Sequence, residues 1–387
     1  MIERTIFIQP RDPAIFRDGK PFNQGLPARS VDWPQPSAII GAIRTRLGRN
    51  AGYDAAAVQR LLRIEHIGPF LAARNREGYT LAFPAPADVV VFEAQKDRLG
   101  HRQLELCPLR PARLNADEGM DLPREPQGLH PVLGGREEKP AAGPPFWTAA
   151  ATLDWLKEPD ASSRFHAVED LGFSSLPRQR RIHLEIESAR QAARKGALFS
   201  TEGLEFPERV RHFEEDGERW EEPEPRICSR IRYEDADDWP GLEALAPVGG
   251  ERRLASWSEG GIEWPDAPDW LAGKALVRLQ LITPGYFGGG WIPNWLFGGH
   301  PPGIEDLELS LIAAAIPRAV AHSGWDFTKK GGHSQKATRF LAPAGSVYFC
   351  EVRLGDPRRL WMRSICDDDQ AGRDGFGLVL CGVWQWQ

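Results

Sequence analysis

The chain has few cysteines, few lysines and no long apolar run. Its five cysteines, at 107, 228, 350, 366 and 381, are odd in number and far apart, and no pair is spaced as CxxC. That spacing gives neither a zinc ribbon nor a disulfide framework, and it fits a reduced, cytoplasmic protein. No stretch nears the roughly 18 apolar residues of a membrane helix, and MIERTIFIQPRDP has no signal-peptide pattern. HExxH, GxxxxGK[ST] and GxSxG are all missing. The run Gly288-Gly289-Gly290 lacks the Lys-Ser or Lys-Thr of a phosphate loop. The sequence therefore implies no metal and no cofactor. Asp367-Asp368-Asp369 reads as a solvated acidic loop, since a charge run is usually a solvated surface.

What the chain has is length, punctuation and unevenly placed charge. Its 387 residues suggest two domains, and 39 glycines and 33 prolines cut it into short elements. The net charge of −6 is misleading as an average. Residues 201–250 hold six cations and fifteen carboxylates, whereas the first fifty hold eight cations and four carboxylates. The acidic stretch HFEEDGERWEEPEPR reads as a solvated loop or linker. Among the 48 cations only nine are lysine, and Lys329, Lys330 and Lys336 fall within eight residues.

Local patterns supply candidate elements. Thr5–Ile8 reads as a strand ended by Pro10, and Asp18-Gly19 as a tight turn, since Gly19 can take positive φ. Ser37 is placed to cap a helix from Ala38, whose Ile39, Ile40, Ile43 and Leu47 share one face. Residues 101–150 are proline-rich and irregular. Arg181–Glu187 alternates as a strand, and Ala275–Ile282, Ser346–Val352 and Leu378–Cys381 also read as strands. Leu307 to about Ala315 fits a helix or a strand. Strands and helices do not alternate regularly, which favours an α+β class over a doubly wound parallel sheet.

Several segments carry chemistry suited to single-stranded RNA, which proteins grip by cations along the backbone and by stacking on aromatic or guanidinium planes. The opening motif offers Arg17, Lys20, Arg29, Ser37 and Arg44, with the Ala38–Ile40 amides at a helix N-terminus that favours an anion. Arg178, Arg180 and Arg181 open a second basic stretch. The third is Thr328–Arg339, with Lys329, Lys330, His333, Lys336 and Arg339 on a glycine-containing loop. Phe22, Trp33, Phe287, Trp291 and Trp325 could stack bases, form a partner interface or simply pack in a core.

Four motifs occur in order: Arg11-Asp12-Pro13 through Phe16–Phe22 to Trp33–Ser37 and Gly41–Arg44; Thr283–Phe287 with Gly290–Pro293; Ser323–Asp326 through Lys336 to Pro343–Phe349; and Gly375–Leu378. Together they resemble the third-subunit family of type III-B CRISPR effector (Cmr) complexes, within the repeat-associated (RAMP) superfamily. The resemblance spans both ends of the chain and is weak in the proline-rich middle and the acidic segment. It implies two ferredoxin-like, RRM-like domains with long insertions: residues 1–210 with an insertion around 101–150, an acidic linker at 211–225, and residues 226–387. It also implies a non-catalytic role in antiviral defence, with three partners: the 5′ handle of the guide RNA (crRNA), the large polymerase/nuclease-like subunit and a backbone RAMP subunit. In related subunits the region around 178–195 can form a projecting hairpin. Two alternatives stay open. One is a metal-independent RAMP endoribonuclease that uses His183 or His333 as general acid or base. The other is a protein-only adaptor of the large subunit.

Overall fold

The computed structural model describes residues 2–387 except 18, 20–29, 51–54, 75–77, 97–101, 116–117, 121–127, 135–136, 159–164, 208–210, 214–218, 222–223, 235–238, 240 and 327–333. The fold is mostly sheet with few helices, and it divides into two compact units, each assembled from separated stretches of chain. The first comprises Met1–Tyr79, Leu176–Gly261 and Ala321–Phe340; the second comprises Thr80–Ser175, Ile262–Val320 and Leu341–Gln387.

In the first unit, strands β1 (Ile2–Pro10), β2 (Glu65–Arg74), β5 (Glu224–Tyr233), β6 (Ala244–Pro247) and β7 (Leu254–Glu259) lie in the order β2–β5–β1–β7–β6. Both β1 and β2 pair antiparallel with β5, so they run parallel to each other with β5 between them. Helices α1 (Pro36–Leu47) and α2 (Ala55–Leu62) connect them, which makes a split βαβ unit. The apolar stripe of α1, Ile39, Ile40, Ile43 and Leu47, is buried against Ile6 and Ile8 of β1 and Ile227 and Ile231 of β5. Burial of that stripe is what makes these twelve residues a helix here, since a helix this short is marginal alone.

Two expectations change in this unit. The helix starts at Pro36, which suits the first position because it needs no N–H. Its N-cap is Gln35, which makes no side-chain cap bond, and Ala38 N–H donates to Gln35 O at 3.0 Å, so that amide is not free for a ligand. The acidic stretch is not a plain linker: Arg211–Phe213 pairs with Arg219–Glu221, and Glu224 begins β5 in the middle of the sheet. Its alternation of buried and half-exposed residues is hidden from a charge count because Arg226, Arg230 and Arg232 occupy the outward positions.

A two-stranded ribbon and a short strand pair complete the unit. The ribbon is β3 (Arg178–Glu187) against β4 (Ala192–Leu204), and the pair is β8 (Val320–His322) beside β9 (Arg339–Leu341).

In the second unit, four antiparallel strands lie in the order Glu308–Ala315, Val347–Leu354, Leu276–Leu281, Val379–Val383. Residues 308–315 form a strand, not a helix: their side chains alternate between buried and half-exposed. Helix α3 (Ala149–Lys157) passes so close to the last strand that a Cβ on Gly382 would sit 2.7 Å from Leu156. At the centre Arg278, 1% exposed, pairs with Asp88, 0% exposed. Trp155 Nε1 donates to the other Asp88 oxygen at 2.9 Å, and Arg278 donates to Trp155 O. Burial pushes the Arg278 guanidinium below its ordinary value, and Asp88 opposes that shift. The expected irregular stretch 101–150 contains the strand Gln103–Pro108, whose Leu104 and Leu106 pack with Trp147 and Trp155.

Candidate nucleic-acid interface

The opening motif is closed at its base. Phe16 N–H donates to Ser30 Oγ at 3.0 Å, Val31 N–H donates to Phe16 O at 2.8 Å, and Arg17 bridges Ser30. Gly19 meets a segment 300 residues away in sequence. Gly19 N–H donates to Ala321 O at 3.1 Å, and Thr338 Oγ1 donates to Gly19 O at 3.4 Å. A Cβ on Gly19 would lie 2.6 Å from the His322 backbone. Gly19 is therefore required for close approach and does not take positive φ.

Ser37 takes part in the same junction. It stands in the first turn of α1 without capping it, and its Oγ lies 3.1 Å from His322 Nε2. Burial, followed by the nearby Lys336 and Arg339 charges, pushes His322 down to about 4, so its imidazole is neutral at neutral pH. Lys336, Arg339, Phe340 and Arg17 are exposed around this junction. The structure thus gathers Arg17, Ser37, Lys336 and Arg339 into one unit. Sequence reasoning missed His322 and Gly19's steric role, because neither shows until the distant strands are docked. Lys20, Phe22, Arg29, Lys329, Lys330 and His333 lie outside the described residues. Trp325 lies on the short strand Trp325–Asp326, which pairs with Ser334–Gln335.

The second basic stretch forms the β3–β4 ribbon. Its three arginines do different things. Arg178 is tied to Ser30 O at 3.1 Å and to both Asp32 and Glu202. Burial lowers its pKa, but the two carboxylates outweigh that and hold it above its ordinary value. It therefore anchors the ribbon to the opening motif. Arg180 and Arg181 are exposed, and Arg181 lines a shallow groove with Pro13, Thr201 and Arg253. One ribbon face carries Ile182, Leu184 and Ile186, which are 70%, 50% and 62% exposed, with Leu198 opposite Leu184. His183, on the other face, bonds Thr201 Oγ1 at 2.8 Å and stacks on Phe199 at 4.9 Å. It is a half-buried, partnered histidine.

Other candidates turn out to have packing roles. Arg44 donates through Nε to Leu61 O at 2.8 Å and through Nη2 to Leu62 O at 3.4 Å, so its guanidinium covers the carbonyls that end α2. Trp33 Nε1 donates to Pro69 O at 3.0 Å, and its ring meets Phe206 at 6.2 Å. Phe287 is a core residue, 2% exposed with its ring edge-on to Tyr348, and it has no face to offer a base. Trp291 is 38% exposed on a glycine-rich loop in the second unit. Asp367 pins that loop, accepting from Gly288 N–H at 2.8 Å and Asn294 N–H at 3.1 Å. Asp368 accepts from Ala371 N–H at 2.7 Å to cap a short helix. The acidic triplet is thus a structural clasp as well as a charge run.

Among the described residues the thiols are shielded by burial. All five cysteines are buried, and burial pushes the thiols of Cys228, Cys350 and Cys381 up and that of Cys366 to about 12. No group of three or more His, Cys, Asp or Glu residues there is placed to hold a metal ion. No helix there is long and apolar enough to cross a membrane.

Comparison with known proteins bears on this picture. The family model described as CRISPR-associated protein (Cas_Cmr3) matches residues 6–384. No curated protein matches the chain. Among solved structures, a chain of the Type III-B Cmr-beta complex bound to cognate target RNA is similar at 14% identity and TM-score 0.48, with 97% of this chain and 96% of that chain covered. A second, of the same complex bound to cognate target RNA and AMPPnP, has 13% identity and TM-score 0.46, with 89% and 86% covered. A chain of the Csm3-Csm4 subcomplex of the type III-A CRISPR-Cas interference complex has 10% identity and TM-score 0.37, with 91% and 94% covered. The family match runs through nearly the whole sequence, including all four motifs and the basic junction: the chain belongs to the CRISPR-associated Cas_Cmr3 family, the third subunits of type III-B Cmr effector complexes.

Proposed function

We propose that this chain is a non-catalytic RNA-binding subunit that holds the single-stranded 5′ handle of the guide RNA. In this reading it sits between the large polymerase/nuclease-like subunit and the first backbone subunit, and each of its units is a ferredoxin-like RAMP domain with insertions. The split βαβ of the first unit and the antiparallel four-stranded sheet of the second support that reading of the fold.

One observation carries the RNA reading: Gly19 and Ser37 of the opening motif dock directly on Ala321 and His322, so Arg17, Lys336 and Arg339 belong to one junction. A single strand of RNA needs cations at phosphate spacing and a surface its bases can reach. The junction supplies three exposed cations, while His322, neutral at neutral pH, adds none. Arg180 and Arg181 extend the cationic surface along the ribbon.

The test is binding of a guide RNA carrying its handle, measured at several salt concentrations. Neutralising Lys336 and Arg339 together (K336Q/R339Q) is expected to weaken binding and to lower the salt slope by about 0.7 for each phosphate no longer held. Unchanged affinity with an unchanged slope would overturn the assignment. Slow cleavage of repeat RNA by the pure chain, abolished by H183A, would instead establish the nuclease.

A further inference from the structure

Phe340 stands out beside this junction. At 64% exposed it is more open than Phe165, Phe199, Phe297 or Trp291, the other exposed phenylalanines and tryptophan among the residues whose side chains are described. A phenylalanine this open buries little of its apolar surface within the chain. It sits on β9 directly after Arg339 and four residues after Lys336, both exposed. The strand is not adrift: β9 pairs with β8, whose Ala321 and His322 hold Gly19 and Ser37, and Thr338 bonds Gly19 O just before β9 begins. Next along the strand, Leu341 is buried and fixes the backbone.

We propose that Phe340 is a stacking platform for one unstacked nucleobase of the bound single strand, whose flanking phosphates lie on Lys336 and Arg339. The inference rests on the RNA reading above and adds to it a contact that carries no charge. An aromatic ring beside two cations matches a nucleotide, whose base is planar and apolar while its phosphate is anionic. The pairing of β9 with β8 and the Thr338–Gly19 bond place the Lys336–Arg339 segment at the junction itself. A purely protein-facing patch would need further apolar neighbours. Around Phe340 the exposed residues from 336 to 339 are Lys, Ala, Thr and Arg.

Stacking and charge leave different signatures. Ionic contacts set the salt slope, whereas stacking contributes affinity that salt does not screen. The experiment uses the full chain and a single-stranded handle RNA in which 2-aminopurine replaces each base in turn. F340A is expected to weaken binding about tenfold with the salt slope unchanged. It should also relieve the quenching of one 2-aminopurine, and F340W should restore both. Because the ring is exposed, F340A should melt at the wild-type temperature, and this measurement separates lost stacking from lost folding. If K336Q/R339Q weakens binding while F340A does not, the seat stands and the platform is refuted. If neither variant changes binding, the RNA reading fails at this junction and the platform fails with it. If F340A keeps RNA affinity but no longer binds a neighbouring subunit, the ring is a protein contact and the proposal is overturned.

Discussion

Arginine serves opposite ends in two regions of the molecule. In the second unit Arg278 is buried, carries two strong partners and holds strand to helix through Asp88 and Trp155. At the junction in the first unit Arg17 and Arg339, with Lys336, face solvent while backbone bonds do the holding. A buried cation is committed to the fold, because any movement strands a charge in a low-dielectric core. An exposed cation beside rigid backbone is available to a polyanion at little conformational cost. The position of a cation, more than the total of 48, separates architecture from binding in this chain.

The largest effect should come from breaking the buried pair. D88A leaves the buried Arg278 without its counter-charge, and is expected to destabilise the protein by about 3–5 kcal/mol in urea unfolding. D88A/R278M, which removes both charges, should recover a good part of that loss. A D88A cost below about 1 kcal/mol would erase the contrast between the two regions.

Next is the steric contact at the junction. G19V pushes a branched side chain into the His322 backbone, and overpacking of this kind costs about 1–3 kcal/mol. Hydrogen exchange should quicken across 320–341 while the Arg278 core stays protected. Equal acceleration in both regions would mean that the junction is not a separate device.

How much of this was legible beforehand divides along the same line. The apolar stripe Ile39, Ile40, Ile43 and Leu47 announced a buried helix, and the strand at 276–281 read correctly as strand. Both depend on local periodicity. The central strand Glu224–Tyr233 was obscured because it adjoins the acidic stretch and its outward positions are charged, although its inward positions alternate. The two basic segments of the junction were each visible as composition. That Gly19 meets His322 was not, since no local pattern encodes which of many strands docks 300 residues away. The packing parts of Arg44 and Phe287 were not legible for the complementary reason: a cation or a ring in a motif looks alike whether it caps a helix, fills a core or meets a ligand.

A smaller effect concerns pH. His322 sits at about 4 in the folded protein against about 6.5 unfolded, so the unfolded chain binds about one more proton between those values. Stability is therefore full above about pH 6.5 and falls as pH drops toward 4. H322Q should flatten that part of the pH–stability profile. An unaltered profile would show that His322 is not buried against the two cations.

The smallest contrast lies within the ribbon. R178A removes a partly exposed ion-pair anchor and is expected to cost about 1 kcal/mol of stability. R180A/R181A should stay within about 0.5 kcal/mol of wild type yet weaken RNA binding. The reverse order would mean that the ribbon's exposed cations are structural.

The most direct measurement is ultraviolet crosslinking of handle-bearing guide RNA to the reconstituted effector, read by peptide mass spectrometry. The account predicts crosslinks in residues 16–37 and 321–340 of this chain, with Phe340 among the modified residues. Crosslinks confined to the second unit, or handle RNA crosslinked only to other subunits, would contradict it.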